Sequence, residues 1–107
     1  MSLDVHLQVT RPCDVFTASI THNLTPMAKE AGLYQFLWRP REIGIIKAKE
    51  LIRPLENGVN ELINHPAKYD LLEHERGFGT RLELIRFVEK YLVACRENTE
   101  ASVEVFR

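Results

Sequence analysis

Leu3, Val5, Leu7 and Val9 alternate with Asp4, His6 and Gln8. A period of two with one apolar face predicts a half-buried strand. Thr10 to Asp14, with Pro12 inside it, reads as a turn. Alternation resumes from Val15 to His22, with Phe16, Ala18 and Ile20 on one side and Thr17, Ser19 and Thr21 on the other. The two segments make a β-hairpin with one wet face. Carried one step further, the parity places His22 with the apolar set and Asn23 with the polar one.

At Asn23 the period changes. Asn23 or Thr25 caps a helix, since either side chain accepts backbone N–H bonds, and Pro26 fits a first turn. Leu24, Met27, Ala28 and Ala31 form a short stripe that Gly32 ends. Leu33 to Trp38 is dense in large apolar groups and reads as a helical turn or an irregular segment on the core. Arg39-Pro40 closes it. From Arg41 to Asn64 the positions Gly44, Ala48, Leu51, Ile52, Leu55, Val59, Leu62 and Ile63 repeat at steps of three and four, the longest helical pattern in the chain. Pro54 falls inside it, so a kink or a restart is expected there. His65-Pro66 ends the pattern. Ala67 to Phe78 shows little periodicity and reads as a loop, with at most one helical turn near Tyr69 to Leu72. Thr80-Arg81-Leu82-Glu83 is a capping-box pattern. It opens a helix whose stripe is Leu84, Ile85, Val88, Tyr91, Leu92 and Cys95, running to about Glu97. Asn98 to Ala101 turns the chain, and Ser102 to Phe106 alternates as a last strand added to the hairpin.

The order ββ, helices, β predicts an α+β fold: a small antiparallel sheet, from the N-terminal hairpin and the C-terminal strand, with three or so helices packed on one face. No repeat or linker divides the 107 residues, which read as a single domain, 1–107. With 45% hydrophobic and 27% charged residues the chain is neither disordered nor low-complexity. A domain of this size buries roughly two thirds of its unfolded surface, enough for a core without metal or disulfide support. Fourteen Lys and Arg against fifteen Asp and Glu argue against broad capture of nucleic acid or acidic membrane. No apolar run approaches a membrane span, and the N-terminus lacks the basic start and apolar block of a signal peptide. Cys13 and Cys95 are expected as free thiols, and the compartment as cytoplasmic. An open sheet with a short last strand leaves an edge to pair, so a homo-oligomer is one expectation.

Three constellations carry candidate chemistry. Thr21, His22 and Asn23 place three hydrogen-bonding side chains at a strand-to-helix junction, where a polar ligand would sit beside a helix N-terminus. The same residues also serve as a cap and a half-buried histidine. Arg76-Gly77-Phe78-Gly79-Thr80-Arg81 has glycines before a helix, two arginines and a ring to stack. It is neither a Walker loop nor a dinucleotide fingerprint, and glycines that shape a loop with Thr80 as cap explain it equally. Tyr34, Phe36, Trp38, Arg39 and Arg41 mix aromatics with arginines, as ligand-stacking sites and interface anchors do, and as core aromatics beside surface arginines do. Of these, Trp38 beside the proline break is expected to stay partly exposed. The histidines His6, His22, His65 and His74 form no i,i+4 pair and there is no Cys-x-x-Cys, so no metal is expected. No catalytic set and no cofactor motif stands out.

Ile20-Thr21-His22-Asn23-Leu24, Met27-Ala28, Glu30-Ala31-Gly32, Leu37-Trp38-Arg39-Pro40, Gly77-Phe78-Gly79-Thr80 and Tyr91-Leu92-Val93-Ala94-Cys95 together resemble a family of small uncharacterised phage and bacterial proteins. The resemblance spans Val5 to the last strand. It implies no activity. A phage setting would favour a counter-defence role, sequestering a signal or blocking a host factor.

The sequence therefore leads to a non-enzymatic binding protein for a small polar or nucleotide-like ligand. Its site would draw on Thr21, His22, Asn23, Trp38, Arg39, Arg76, Phe78, Thr80 and Arg81. The alternative is a protein-interaction module that inhibits a host protein through its surface.

Overall fold

The computed structural model describes residues 2–10, 13–73 and 80–107. β1 (Ser2–Thr10) and β2 (Cys13–Thr21) form the hairpin, and β3 (Ser102–Phe106) pairs antiparallel with the other side of β1. The sheet order is β2-β1-β3. Register puts Leu3 opposite Ile20, Val5 opposite Ala18 and Val105, and Leu7 opposite Phe16 and Val103. One face is thereby continuous apolar surface, and Leu3, Val5, Leu7 and Val103 are fully buried in the core. The other face carries Asp4, His6, Thr17, Ser19 and Glu104. Val9 does not follow its expected parity and is 57% exposed. Register shifts between Leu7 and Gln8 and between Gln8 and Thr10 interrupt the pleat there.

The core is completed by helices, giving the α+β class that the order of elements predicts. They are α1 (Thr25–Glu30), α2 (Tyr34–Trp38), α3 (Ile52–Asn64), α4 (Pro66–Glu73) and α5 (Arg81–Glu97). On α5 all six stripe residues are buried, joined by Phe87 and Ala94. Thr80 caps it as expected, its Oγ1 accepting the Glu83 N–H at 3.1 Å. Cys95 is a free thiol in this core, and burial pushes its pKa up to about 12.

Two further expectations are corrected. Arg41 to Asn64 is not one helix: Pro40–Ile43 and Ala48–Leu51 are 3-10 turns, Gly44 sits at φ 81°, and α3 starts only at Ile52. The backbone between them is claimed by the end of the chain. The Val103 N–H donates to Ile46 O at 2.9 Å, the Ala48 N–H to Ala101 O at 2.9 Å, and the Lys49 N–H to Thr99 O at 3.0 Å. Pro54 falls in the first turn of α3, where the missing N–H breaks no helical bond. The other correction is α4, a helix of 8 residues where a loop is expected. Its one fully buried anchor in the described side chains is Tyr69, whose hydroxyl donates to Glu61 at 2.9 Å.

Candidate functional site

The side chains of Thr21 and His22 are engaged within the fold. β2 stops at Thr21, and His22–Leu24 turns as a 3-10 segment, so strand parity does not reach His22. Thr21 is the cap in place of Asn23 or Thr25: its Oγ1 accepts the Asn23 N–H at 3.2 Å. Thr25 instead donates its hydroxyl to His22 O at 2.7 Å. His22 Nδ1 accepts the indole N–H of Trp38 at 2.9 Å. An indole can only donate, so the ring proton of His22 lies on Nε2, which is buried without a partner among the described residues. Asn23 is exposed.

Trp38 is not partly exposed. It is 2% exposed, stacked on Tyr34 at 5.6 Å between ring centroids. The histidine acceptor sixteen residues away satisfies the one polar atom that would have kept it near water. Arg39 donates from Nε to the Tyr34 hydroxyl at 3.0 Å and from Nη1 to Glu42 at 2.7 Å. The Lys29 ammonium lies 4.9 Å from the Tyr34 ring. Tyr34, Trp38 and Arg39 of that constellation thus form a brace between α1, α2 and the turn after β2, with their polar groups bonded within the fold. Arg81 donates to Leu62 O, the last turn of α3, at 3.2 Å. Arg76 and Phe78 lie outside the described residues. Among the described residues no group of His, Cys, Asp and Glu could hold a metal ion, and no helix is long and apolar enough to cross a membrane.

Of the expected site residues among those described, Thr21 lines a groove. That groove, of about 480 Å³, lies between β2 and α5 and is lined by Ala18, Ser19, Ile20, Thr21, Glu83, Arg86, Phe87 and Lys90. Four consecutive strand residues, from both faces of the pleat, line it, so what it meets is the strand's edge. The side chains of Ser19 and Thr21 are engaged elsewhere, Ser19 donating to Asp4 at 2.6 Å and Thr21 capping the turn. What remains there is backbone, beside the cations of Arg86 and Lys90. Neither cation has an ion-pair partner among the described residues. Further along, Phe16, Lys90, Val93, Ala94, Glu89 and Glu97 line a second hollow of about 390 Å³ between the same two elements. Val93 is 51% exposed there.

The two sheet edges are treated differently. The outer edge of β3 is covered: Ile46 O takes the Val103 N–H, Arg41 donates from Nη2 to Val103 O at 3.0 Å, and Lys47 bridges Ser102. Arg41 also pairs with Glu104 at 2.9 Å. The β3 edge is therefore covered over its first half, at Ser102 and Val103. The open edge is β2. Among the described residues no strand lies outside it and no backbone group bonds to it. Its 9 residues hold no proline and one charge, Asp14, near one end. Exposed edges normally carry charge, proline or a cover.

Arg86 and Lys90 escape sequence reading because on a helix they look like its solvated flank. Only the spacing Glu83, Arg86, Lys90, Val93, Glu97 marks a second stripe beside the core one. On the wet sheet face, Asp14 accepts from Gln8 at 2.9 Å and meets His6 Nδ1 at 3.0 Å. Those hydrogen bonds, that of Gln8 first, hold the Asp14 carboxyl below its ordinary pKa. The Phe106 ring stands edge-on to His6 at 5.2 Å. This set lies flat on the open face.

Compared with family models, curated proteins and solved structures, the chain matches none.

Proposed function

We propose that the protein works by binding rather than by catalysis, and that its ligand is an extended segment of another protein laid along the free edge of β2. The observation that carries this reading is the contrast between the two sheet edges: β3 is covered by three separate contacts and β2 by none among the described residues. An unpaired edge supplies main-chain hydrogen bonds to an added strand, and hollows beneath it select alternate side chains. Burial of Trp38 and the pairing of Arg39 within the fold weigh against a small-ligand site built on those two residues.

A small anionic ligand is the second reading, and the cations Arg86 and Lys90, without an ion-pair partner among the described residues, favour it. One experiment separates the two. The whole chain is used as bait for a random dodecapeptide display library, and its thermal unfolding is followed against nucleotides and sugar phosphates. Enriched peptides that lose binding when alternate amides are N-methylated support strand addition. A ligand at 100 times its dissociation constant adds about 2.7 kcal/mol. A thermal shift with one class of phosphate, and no enriched peptide, would replace the first reading by the second.

A further inference from the structure

We infer that the segment taken up by β2 carries a carboxylate and, four residues away on the same face, a bulky apolar side chain. The inference rests on the reading of β2 as a strand acceptor and names the chemistry of its occupant.

α5 runs antiparallel to β2 beneath its edge. Glu83, Arg86 and Lys90 lie by residues 18–21, and Glu89, Val93, Ala94 and Glu97 lie by Phe16, with Lys90 standing between the two groups and lining both hollows. The space under the edge thus has two chemically distinct ends. Near Ile20 two cations face one carboxylate, Glu83, and neither Arg86 nor Lys90 is paired among the described residues. The surplus charge there is positive, and a carboxylate from an occupant completes it. Near Phe16 the hollow is walled by the half-buried Phe16 ring, Val93 and Ala94. The apolar wall calls for an apolar side chain, and the Glu89 and Glu97 rim disfavours an acidic one.

Strand geometry converts these two ends into a sequence pattern. Phe16 and Ile20 are four residues apart and lie on the same face, so their separation along the strand is about 13 Å. A strand added in register points every second side chain toward α5. One residue opposite Phe16 and one opposite Ile20 are then four positions apart in the occupant, with a residue between them facing Ala18. The intervening odd positions face the wet side and are unconstrained by this groove.

The test reads the sequences that the display selection enriches, then measures their affinity for the chain by fluorescence anisotropy. The expected result is a carboxylate four positions from Leu, Ile, Phe or Val. Changing that carboxylate to lysine should weaken binding about tenfold or more, and the charge-reversed variant R86E/K90E should restore the lysine peptide while losing the original. This exchange of preference also shows that the variant is folded. Enriched peptides without the pattern, or an R86E/K90E variant that keeps the original preference, overturn the inference and leave strand addition standing. No enriched peptide, or enriched peptides indifferent to N-methylation, overturn strand addition itself. A dimer dissociated by N-methylated β2 peptide would assign the edge to a second copy and overturn the inference as well.

Discussion

Gly58 lies in the middle of α3, where glycine is normally a weakness: alanine is more stable in a helix interior by about 1 kcal/mol. Here the substitution should go the other way. A Cβ on Gly58 would stand 2.9 Å from Leu33 Cδ1, with Cγ and Cδ2 of the same side chain closer still. Leu33 is fully buried and cannot swing into solvent. Overpacking of this kind costs about 1–3 kcal/mol, and three atoms inside contact distance place it in the upper part of that range. After subtracting the propensity gain, Gly58→Ala should destabilise the protein by about 1–2 kcal/mol. Leu33→Ala alone should cost about 2–5 kcal/mol as a cavity mutation. In the Leu33→Ala background the new methyl enters vacated space, so Gly58→Ala should there be neutral or stabilising by up to about 1 kcal/mol. The coupling between the two sites is then about 2 kcal/mol, well above the few tenths seen between independent sites. Urea unfolding of the four proteins gives these differences from the midpoints at constant m. A higher midpoint for Gly58→Ala in the parent, or an equal effect in both backgrounds, would refute the close-approach argument.

Three further outcomes follow from buried or shifted groups. Tyr91 is fully buried with a hydroxyl that meets no hydrogen-bond partner among the described residues, so Tyr91→Phe should be neutral or stabilising by about 1 kcal/mol in urea unfolding; a clear loss would mean that the hydroxyl has an acceptor. His22→Ala strands the Trp38 N–H and should cost about 1–3 kcal/mol, with a change in Trp38 fluorescence; an unchanged midpoint would mean the indole has another acceptor. Backbone N–H groups of Lys47 and Ile46 hold the Glu50 carboxyl below its ordinary pKa, and the Tyr69 hydroxyl and then Lys68 hold Glu61 low. A depressed carboxylate stabilises the fold above its unfolded pKa and loses that effect as pH falls through the lower native value. The urea midpoint should therefore fall between pH 5 and pH 2, and Glu50→Gln should flatten that fall; a profile unchanged by Glu50→Gln would rule out its contribution.

Local periodicity was enough to place the hairpin, α5 with its Thr80 cap, and β3, because each carries its own apolar face and its own start or stop residue. It failed where distant partners decide. Residues 41–51 match a helical pattern, but Ile46 and Ala48 give their backbone groups to residues 101–103, and nothing near them in sequence announces this. Trp38 reads as exposed beside Pro40, yet its acceptor is His22. α4 lacks a stripe, since its fixed point among the described side chains is the single ring of Tyr69. The candidate surface was least legible. Apart from Thr21, its charged residues look like an ordinary solvated helix flank until β2 is laid beside them.

The place of β1 in the middle of the sheet has a consequence for synthesis. Its neighbour β2 follows within a few residues, but its other neighbour, β3, pairs Phe106 with Asp4. In the order of synthesis the hairpin and the helices α1 to α5 all precede residues 102–106. During that interval the second edge of β1 is bare, and the segment that later covers β3 has nothing to hold. Closing such a long loop is slow compared with forming a hairpin or a helix. The second edge of β1 is thus open to misassociation until residues 102–106 reach it, and a chain truncated before Ser102 should engage chaperones that a chain carrying β3 escapes.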